Sequence, residues 1–176
     1  GSGLVGSEMC IRDSCYVNVR HLPRFFDYST ELSYSKTERV TDINDIQHPA
    51  IREAMKMLDM REIRLTYEAD LPARSGLGTS SSFAVGMLNA FYALKGKYAD
   101  KKKLADEAIY LERVLCNESG GWQDQIAASF GGFNRINFNS DGYEVLPVII
   151  SPERKKMLND NLLMFFTGFT RVSYTH

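Results

Sequence analysis

Between Ile63 and Leu94 the chain passes from an alternating strand through a loop of glycines and hydroxyl residues into a long apolar helix. That junction restricts the fold to one that packs helix against sheet. Ile63, Leu65, Tyr67 and Ala69 alternate with charged or polar residues, the two-residue period of a half-buried strand that ends at Asp70-Leu71-Pro72. Phe83, Met87, Phe91 and Leu94 recur at spacings of four and three, so they trace one face of an amphipathic helix that stops at Gly96. Between the two lies Pro72-Ala73-Arg74-Ser75-Gly76-Leu77-Gly78-Thr79-Ser80-Ser81-Ser82. A helix start presents unpaired N–H groups and the positive end of the helix dipole, which together favour a phosphate. The hydroxyls can donate to phosphate oxygens or enter the shell of Mg²⁺. The loop lacks the Gly-Lys-Ser/Thr of a Walker A motif and the Gly-x-Ser-x-Gly of a nucleophile elbow. A plainer alternative stands beside this one, in which Ser80 or Ser81 caps the helix and the glycines supply only the turn.

The same periodicities run through the rest of the chain. Tyr16–Val19 and Glu31–Lys36 read as strands, and Pro49 opens a helix carrying Ile51, Met55 and Leu58. Lys101–Cys116 reads as a helix with Leu104, Ala108, Leu111 and Leu115 as its buried stripe. Gly120-Gly121 breaks the chain, a short helix runs through Ala127-Ala128, and Gly131-Gly132 breaks it again. Asn134–Phe138 and Glu144–Ile150 form a strand pair joined at Ser140-Asp141-Gly142, Pro152 opens another helix, and Leu162–Thr167 reads as a buried strand. No internal repeat or low-complexity tract interrupts this order. The expectation is one α+β domain, a mixed β-sheet packed with helices over residues 15–176, behind a foreign or disordered leader at 1–14.

Charge and apolar content remove several function classes. Twenty-one Lys+Arg against 22 Asp+Glu leave a net charge of −1, so no global field draws the chain to nucleic acid or an anionic membrane. Val145–Ile150 and Leu162–Phe166 are apolar runs far shorter than the roughly 20 residues of a membrane span. Cys10, Cys15 and Cys116 form no CxxC pair and there are only three histidines, which disfavours structural zinc and suggests a reduced, cytoplasmic protein. An anionic ligand must therefore be held by local geometry.

Phosphoryl transfer requires an aligned acceptor hydroxyl, a group that takes its proton, and cations against the phosphate charge. Glu112 and Asp124 are placed to share that work. Glu112 lies one residue past the apolar stripe of its helix, and Asp124 follows the Gly120-Gly121 break. On the residues alone, the preferred reading of Glu112 is a solvated acid paired with Arg113 or Lys103, and of Asp124 a first-turn acid that complements the helix dipole. Trp122 and Phe133 read as core aromatics rather than stacking platforms.

Pro-x-x-x-Gly-Leu-Gly-Thr-Ser-Ser-Ser after a strand resembles the second signature of the GHMP kinases. Glu112-Arg113, then Gly120-Gly121-Trp122-Gln123-Asp124-Gln125, then Phe130-Gly131-Gly132-Phe133 is similar to the middle segment of the sugar kinases in that superfamily. Gln123 through Asn134, Tyr34–Glu38, His48-Pro49 and Phe165–Arg171 look like the branch containing D-glycero-D-manno-heptose 7-phosphate kinase. The resemblance covers about residues 16–174. It implies the GHMP N-terminal domain, of the ribosomal protein S5 domain 2-like fold, and ATP- and Mg²⁺-dependent phosphoryl transfer to a sugar or sugar phosphate. Carried over residue by residue, Gly76, Leu77, Gly78, Thr79, Ser80 and Ser81 surround the ATP phosphates. Ser80 and Glu112 hold Mg²⁺, Asp124 acts as base or orients the hydroxyl, and Gln123 and Arg171 meet the sugar substrate. Arg171 is equally a solvated residue near the chain end.

Two departures qualify the resemblance. Residues 1–14 do not match the family's first signature, and no third, glycine-rich signature occurs before His176. The expectation is an N-terminal part with little or no turnover by itself, with exposed apolar surface that favours self-association. The competing expectation is a non-catalytic nucleotide-binding or interaction module.

Overall fold

The computed structural model describes residues 14–70, 78–163 and 165. Four strands, β1 (Cys15–His21), β2 (Thr30–Ser33), β3 (Thr37–Val40) and β4 (Ile63–Ala69), form a mixed sheet in the order β1-β4-β2-β3. β1 is antiparallel to β4, β2 is parallel to β4, and β2 and β3 form an antiparallel hairpin. The parallel pair is bridged by β3 and by α1 (Pro49–Met57), since parallel neighbours need a crossover. α2 (Thr79–Leu94), α3 (Lys101–Tyr110) and α4 (Gln123–Phe130) pack on one another, and α2 lies on β1. A hairpin of β5 (Asn134–Asn139) and β6 (Gly142–Pro147) and a last helix, α5 (Pro152–Asp160), follow. The expected α+β architecture with a mixed sheet is what forms.

Register separates core from solvent one residue at a time. Val19, Leu65, Leu32 and Glu38 stand side by side across the sheet, and their face meets the helices. One residue along, Arg20, Arg64, Glu31 and Arg39 make the neighbouring row, with Glu31 Oε2 bonded to Arg39 at 3.0 Å and Oε1 2.6 Å from Arg64. A one-residue slip would exchange the two rows, so the pairing is strongly specified.

Several elements differ from their sequence reading, each for a tertiary reason. The strand expected at Glu31–Lys36 stops at Ser33, because Tyr34 N–H bonds the Lys36 carbonyl and turns the chain into β3. α2 is buried on most of its circumference rather than one face, being enclosed by the sheet, α3 and α4. The second hairpin strand ends at Pro147, beyond which one bond, from Val148 N–H to the Phe133 carbonyl, remains. The buried strand read at Leu162–Thr167 does not form at its described residues: Leu162, Leu163 and Phe165 are exposed, and neither sheet pairs with them. Trp122 is exposed too, its ring edge-on to Phe138, so it is not a core aromatic. Exposed Phe138, Ile149, Leu163 and Phe165 supply apolar surface around the hairpin and α5. No helix among the described residues is long and apolar enough to cross a membrane.

The sheet's inner row ends at a buried polar knot. Glu38 accepts hydrogen bonds from the Tyr34 hydroxyl and from Gln47 N–H at 2.7 Å. Burial pushes the Glu38 carboxyl up, but the N–H groups of Gln47 and His48 and the Tyr34 hydroxyl outweigh it and hold it below its ordinary value. His48 caps α1 through Nδ1, which accepts from Ile51 N–H at 3.4 Å, while its ring packs between Tyr34 and Phe83. Burial depresses the His48 pKa against the opposing Glu38 charge, so the folded chain keeps the neutral ring and its cap. Both depressed groups stabilise the fold at higher pH. The His48 contribution is complete above its ordinary value of 6.5 and lost below it, and the Glu38 contribution is lost only below 4.5. Melting temperature should therefore fall between about pH 7 and pH 5, and His48→Asn, which keeps a capping acceptor without titrating, should flatten that window. A pH-independent wild-type melting temperature over that range would contradict this account.

Candidate active site

The glycine–serine loop meets α2 at Gly78, whose φ of 73° and ψ of 19° lie in the left-handed region. Glycine adopts that conformation without the steric penalty that a Cβ brings. As the residue preceding α2, Gly78 offers no side chain to cap the first turn, so neither Ser80 nor Ser81 is the cap. Thr79, Ser80 and Ser81 are instead the first three helical residues, with uncapped N–H groups at the positive end of a 16-residue helix. Thr79 and Ser81 are buried, whereas Ser80 is exposed. Gly76 and Leu77 lie outside the described residues, as does Arg171.

Glu112 comes to this turn from the other side. The helix expected over Lys101–Cys116 is α-helical only to Tyr110, and Leu111–Leu115 continues as a π turn. Cys116 N–H bonds the Leu111 carbonyl, a five-residue step, at 2.9 Å. Such turns widen a helix locally and recur at functional sites. Glu112 is 5% exposed, so it is not the solvated acid of the alternative reading, and Lys103 pairs with Glu107 instead. The Ser80 hydroxyl donates to Glu112 Oε1 at 3.1 Å and the Ser81 hydroxyl to Oε2 at 3.2 Å. The Gln125 side-chain amide, from α4, also donates to Oε2. Burial pushes the Glu112 carboxyl above its ordinary value and the Glu118 charge adds to this, while the Gln125, Ser80 and Ser81 hydrogen bonds pull it back.

The structure thus joins Ser80 and Glu112, 32 residues apart in the chain. Gln125, itself 5% exposed, is a partner that residue-by-residue reading did not single out. Its signal was modest: it lies next to Asp124 on a helix whose other inward residues, Ile126 and Ala128, are small or apolar.

Asp124 occupies the first turn of α4, preceded by Trp122, which provides no side-chain cap. It is exposed and makes no hydrogen bond or ion pair among the described residues, so its carboxylate is open to a ligand and to the helix dipole alike. Gln123 is exposed beside it, with its amide folded over Gly121 where a Cβ would stand. A cavity of about 860 Å³ opens elsewhere, between Arg24, Thr41, Lys56 and Glu62, and none of its lining residues belongs to the Ser80–Glu112 pair. Among its charges, Arg24 pairs with Glu62 and Arg61 with Asp59.

Residues 46–132 match the family model described as the GHMP kinases N terminal domain. The chain is 37% identical over 108 residues to the D-glycero-alpha-D-manno-heptose 7-phosphate kinase of Campylobacter jejuni, a match covering 58% of this chain and 31% of that relative. Its fold is similar to a D-glycero-D-manno-heptose 1-phosphate kinase from Bacteroides thetaiotaomicron, with a TM-score of 0.66 and 24% identity over 78% of this chain and 48% of that one. A mevalonate kinase shares the fold at a TM-score of 0.60 and 14% identity, over 82% of this chain and 48% of that one. The chain spans about a third of the curated heptose kinase and about half of each solved structure. Residues 46–132 thus carry the match to the GHMP kinases N terminal domain, and the sheet and helices share the fold of those solved kinases.

Proposed function

We propose that the protein carrying this chain is an ATP-dependent sugar kinase that transfers a phosphoryl group to a hydroxyl of a sugar phosphate, with a heptose phosphate as the preferred class. The observation that carries the reading is the convergence of Ser80, Ser81 and the buried Glu112 at the uncapped start of α2. A buried carboxylate bonded to two first-turn hydroxyls is costly as a mere structural device, because desolvation opposes its charge. It suits a site that receives a cation and an anion together.

The donor set fits Mg²⁺. Glu112 and Ser80 offer hard oxygens, and the buried Gln125 amide, whose Oε1 has no hydrogen-bond partner among the described residues, holds Glu112 without entering that set. The described residues contain no group of three or more His, Cys, Asp or Glu able to hold a metal, and Mg²⁺ commonly uses one or two carboxylates with phosphates and water. When bound, the ion would neutralise charge on the phosphates. Gly76–Ser81 bind those phosphates through backbone N–H groups, the Ser80 hydroxyl and the α2 dipole. Asp124 takes the proton of the acceptor hydroxyl as its oxygen bonds to the γ-phosphorus and the bond to the β–γ bridging oxygen breaks, releasing ADP. Gln123 and Arg171 orient the sugar phosphate, the latter through its guanidinium fork.

The test combines isothermal titration of Mg·ATP into the 176-residue chain with transfer to heptose phosphates by the longest protein that carries it. The reading expects saturable Mg·ATP binding and transfer. Binding without transfer to any sugar phosphate would leave a nucleotide-binding module in its place.

A further inference from the structure

The two oxygens of the Glu112 carboxylate face different surroundings. Oε1 accepts from Ser80, which is exposed, in a partly buried bond. Oε2 accepts from Ser81 and Gln125, both buried, in bonds shut away from solvent. One edge of the carboxylate is therefore tied down from inside the domain while the other meets the exposed Ser80 at the start of α2. The tie joins three elements: the start of α2, the π turn after α3, and α4.

We propose that Gln125 is a positioning residue, which clamps Glu112 Oε2 so that Oε1 and the Ser80 hydroxyl present one fixed edge to a divalent cation. The proposal rests on the kinase reading above in taking that edge as the cation site. Ser81 alone would leave the carboxylate a single inner bond about which to swing, because hydroxyls rotate and one hydrogen bond does not fix a plane. An amide that reaches the same oxygen from a second helix removes that freedom, as partners behind metal ligands generally do. Gln125 adjoins Asp124 in the first turn of α4, so the clamp also ties the helix that carries the acceptor-side carboxylate to the one that carries the phosphate loop. The two ends of the transfer are thereby held in one frame.

The experiment compares affinity for Mg·ATP with affinity for ATP in EDTA, by isothermal titration of the 176-residue chain. Gln125→Leu should weaken Mg·ATP binding by about tenfold or more and leave metal-free ATP binding unchanged, the loss typical when a group behind a metal ligand is removed. In a Glu112→Gln background the same change should have no further effect, because the oxygen it holds no longer serves the cation. Loss of both affinities in parallel, or neither, would overturn the proposal. Glu112→Gln that binds Mg·ATP like wild type would overturn the cation reading beneath it, which separates the two failures. A wild-type measurement covers misfolding of the leucine variant: the Gln125 side-chain amide resonances should shift on adding Mg·ATP and not on adding ATP in EDTA. Identical spectra in the two conditions would also overturn the clamp.

Discussion

Glu112→Gln should weaken Mg·ATP binding and cut turnover while leaving the domain as stable as wild type or more so. The two halves of that result have one cause. The ionised Glu112 carboxylate is 5% exposed, and its pKa is raised above the ordinary 4.5, first by burial. A carboxyl with a raised folded pKa is destabilising in its charged form, so its contribution improves as pH falls and is unfavourable at neutral pH. Glutamine keeps the shape without the charge: its oxygen accepts on one side, and on the other its NH2 is met by a hydroxyl that rotates to accept or by the unpartnered Gln125 Oε1 after an amide flip. The melting temperature should therefore hold or rise. Function should move the other way, with turnover falling about 100-fold or more, as for loss of a principal electrostatic contact in the transition state. Calorimetry and a transfer assay on the same preparation check both halves. A variant that melts lower yet transfers normally would show Glu112 to be a structural acid.

Asp124→Asn should leave folding and nucleotide binding intact and remove most of the transfer. Asp124 is exposed and has no hydrogen-bond partner among the described residues, so its replacement by an isosteric amide strands no buried group. An amide cannot take a proton from the acceptor hydroxyl. Loss of general-base assistance corresponds to about 10²–10⁴ in kcat. Mg·ATP titration should match wild type while kcat falls, the pattern of an interaction made only in the transition state. Unchanged turnover would remove Asp124 from the mechanism and leave it as a helix-dipole acid.

These two carboxylates were legible in the sequence to different degrees. Asp124 stood out through the double glycine before it, and its exposure at the head of α4 is what a first-turn acid should show. Apart from the family resemblance, Glu112 was visible only as a residue at the edge of an apolar stripe. Its burial depends on the π turn at Leu111–Leu115 and on α2 and α4 closing over it, and neither is encoded in a periodicity. Gln125 was less legible still, since a glutamine between Asp124 and Ile126 carries no mark of its partner. The misread segments follow the same rule. Leu162 and Leu163 have strand character by composition, but a strand needs a neighbour and no described strand pairs with them.

Local chemistry in the sequence determined most of the helices and strands, the mixed sheet-and-helix class and the glycine–hydroxyl junction, but not β3, because backbone propensity and apolar period act over a few residues. The same stretch, Gly76 to Ser81, carried the family resemblance. Only the tertiary structure decided that Ser80 meets Glu112, that Gln125 holds the far side of the carboxylate, and that α2 is enclosed rather than half-exposed. Those facts join residues 13 to 32 positions apart, and burial and hydrogen bonding at that separation are set by how helices pack on the sheet.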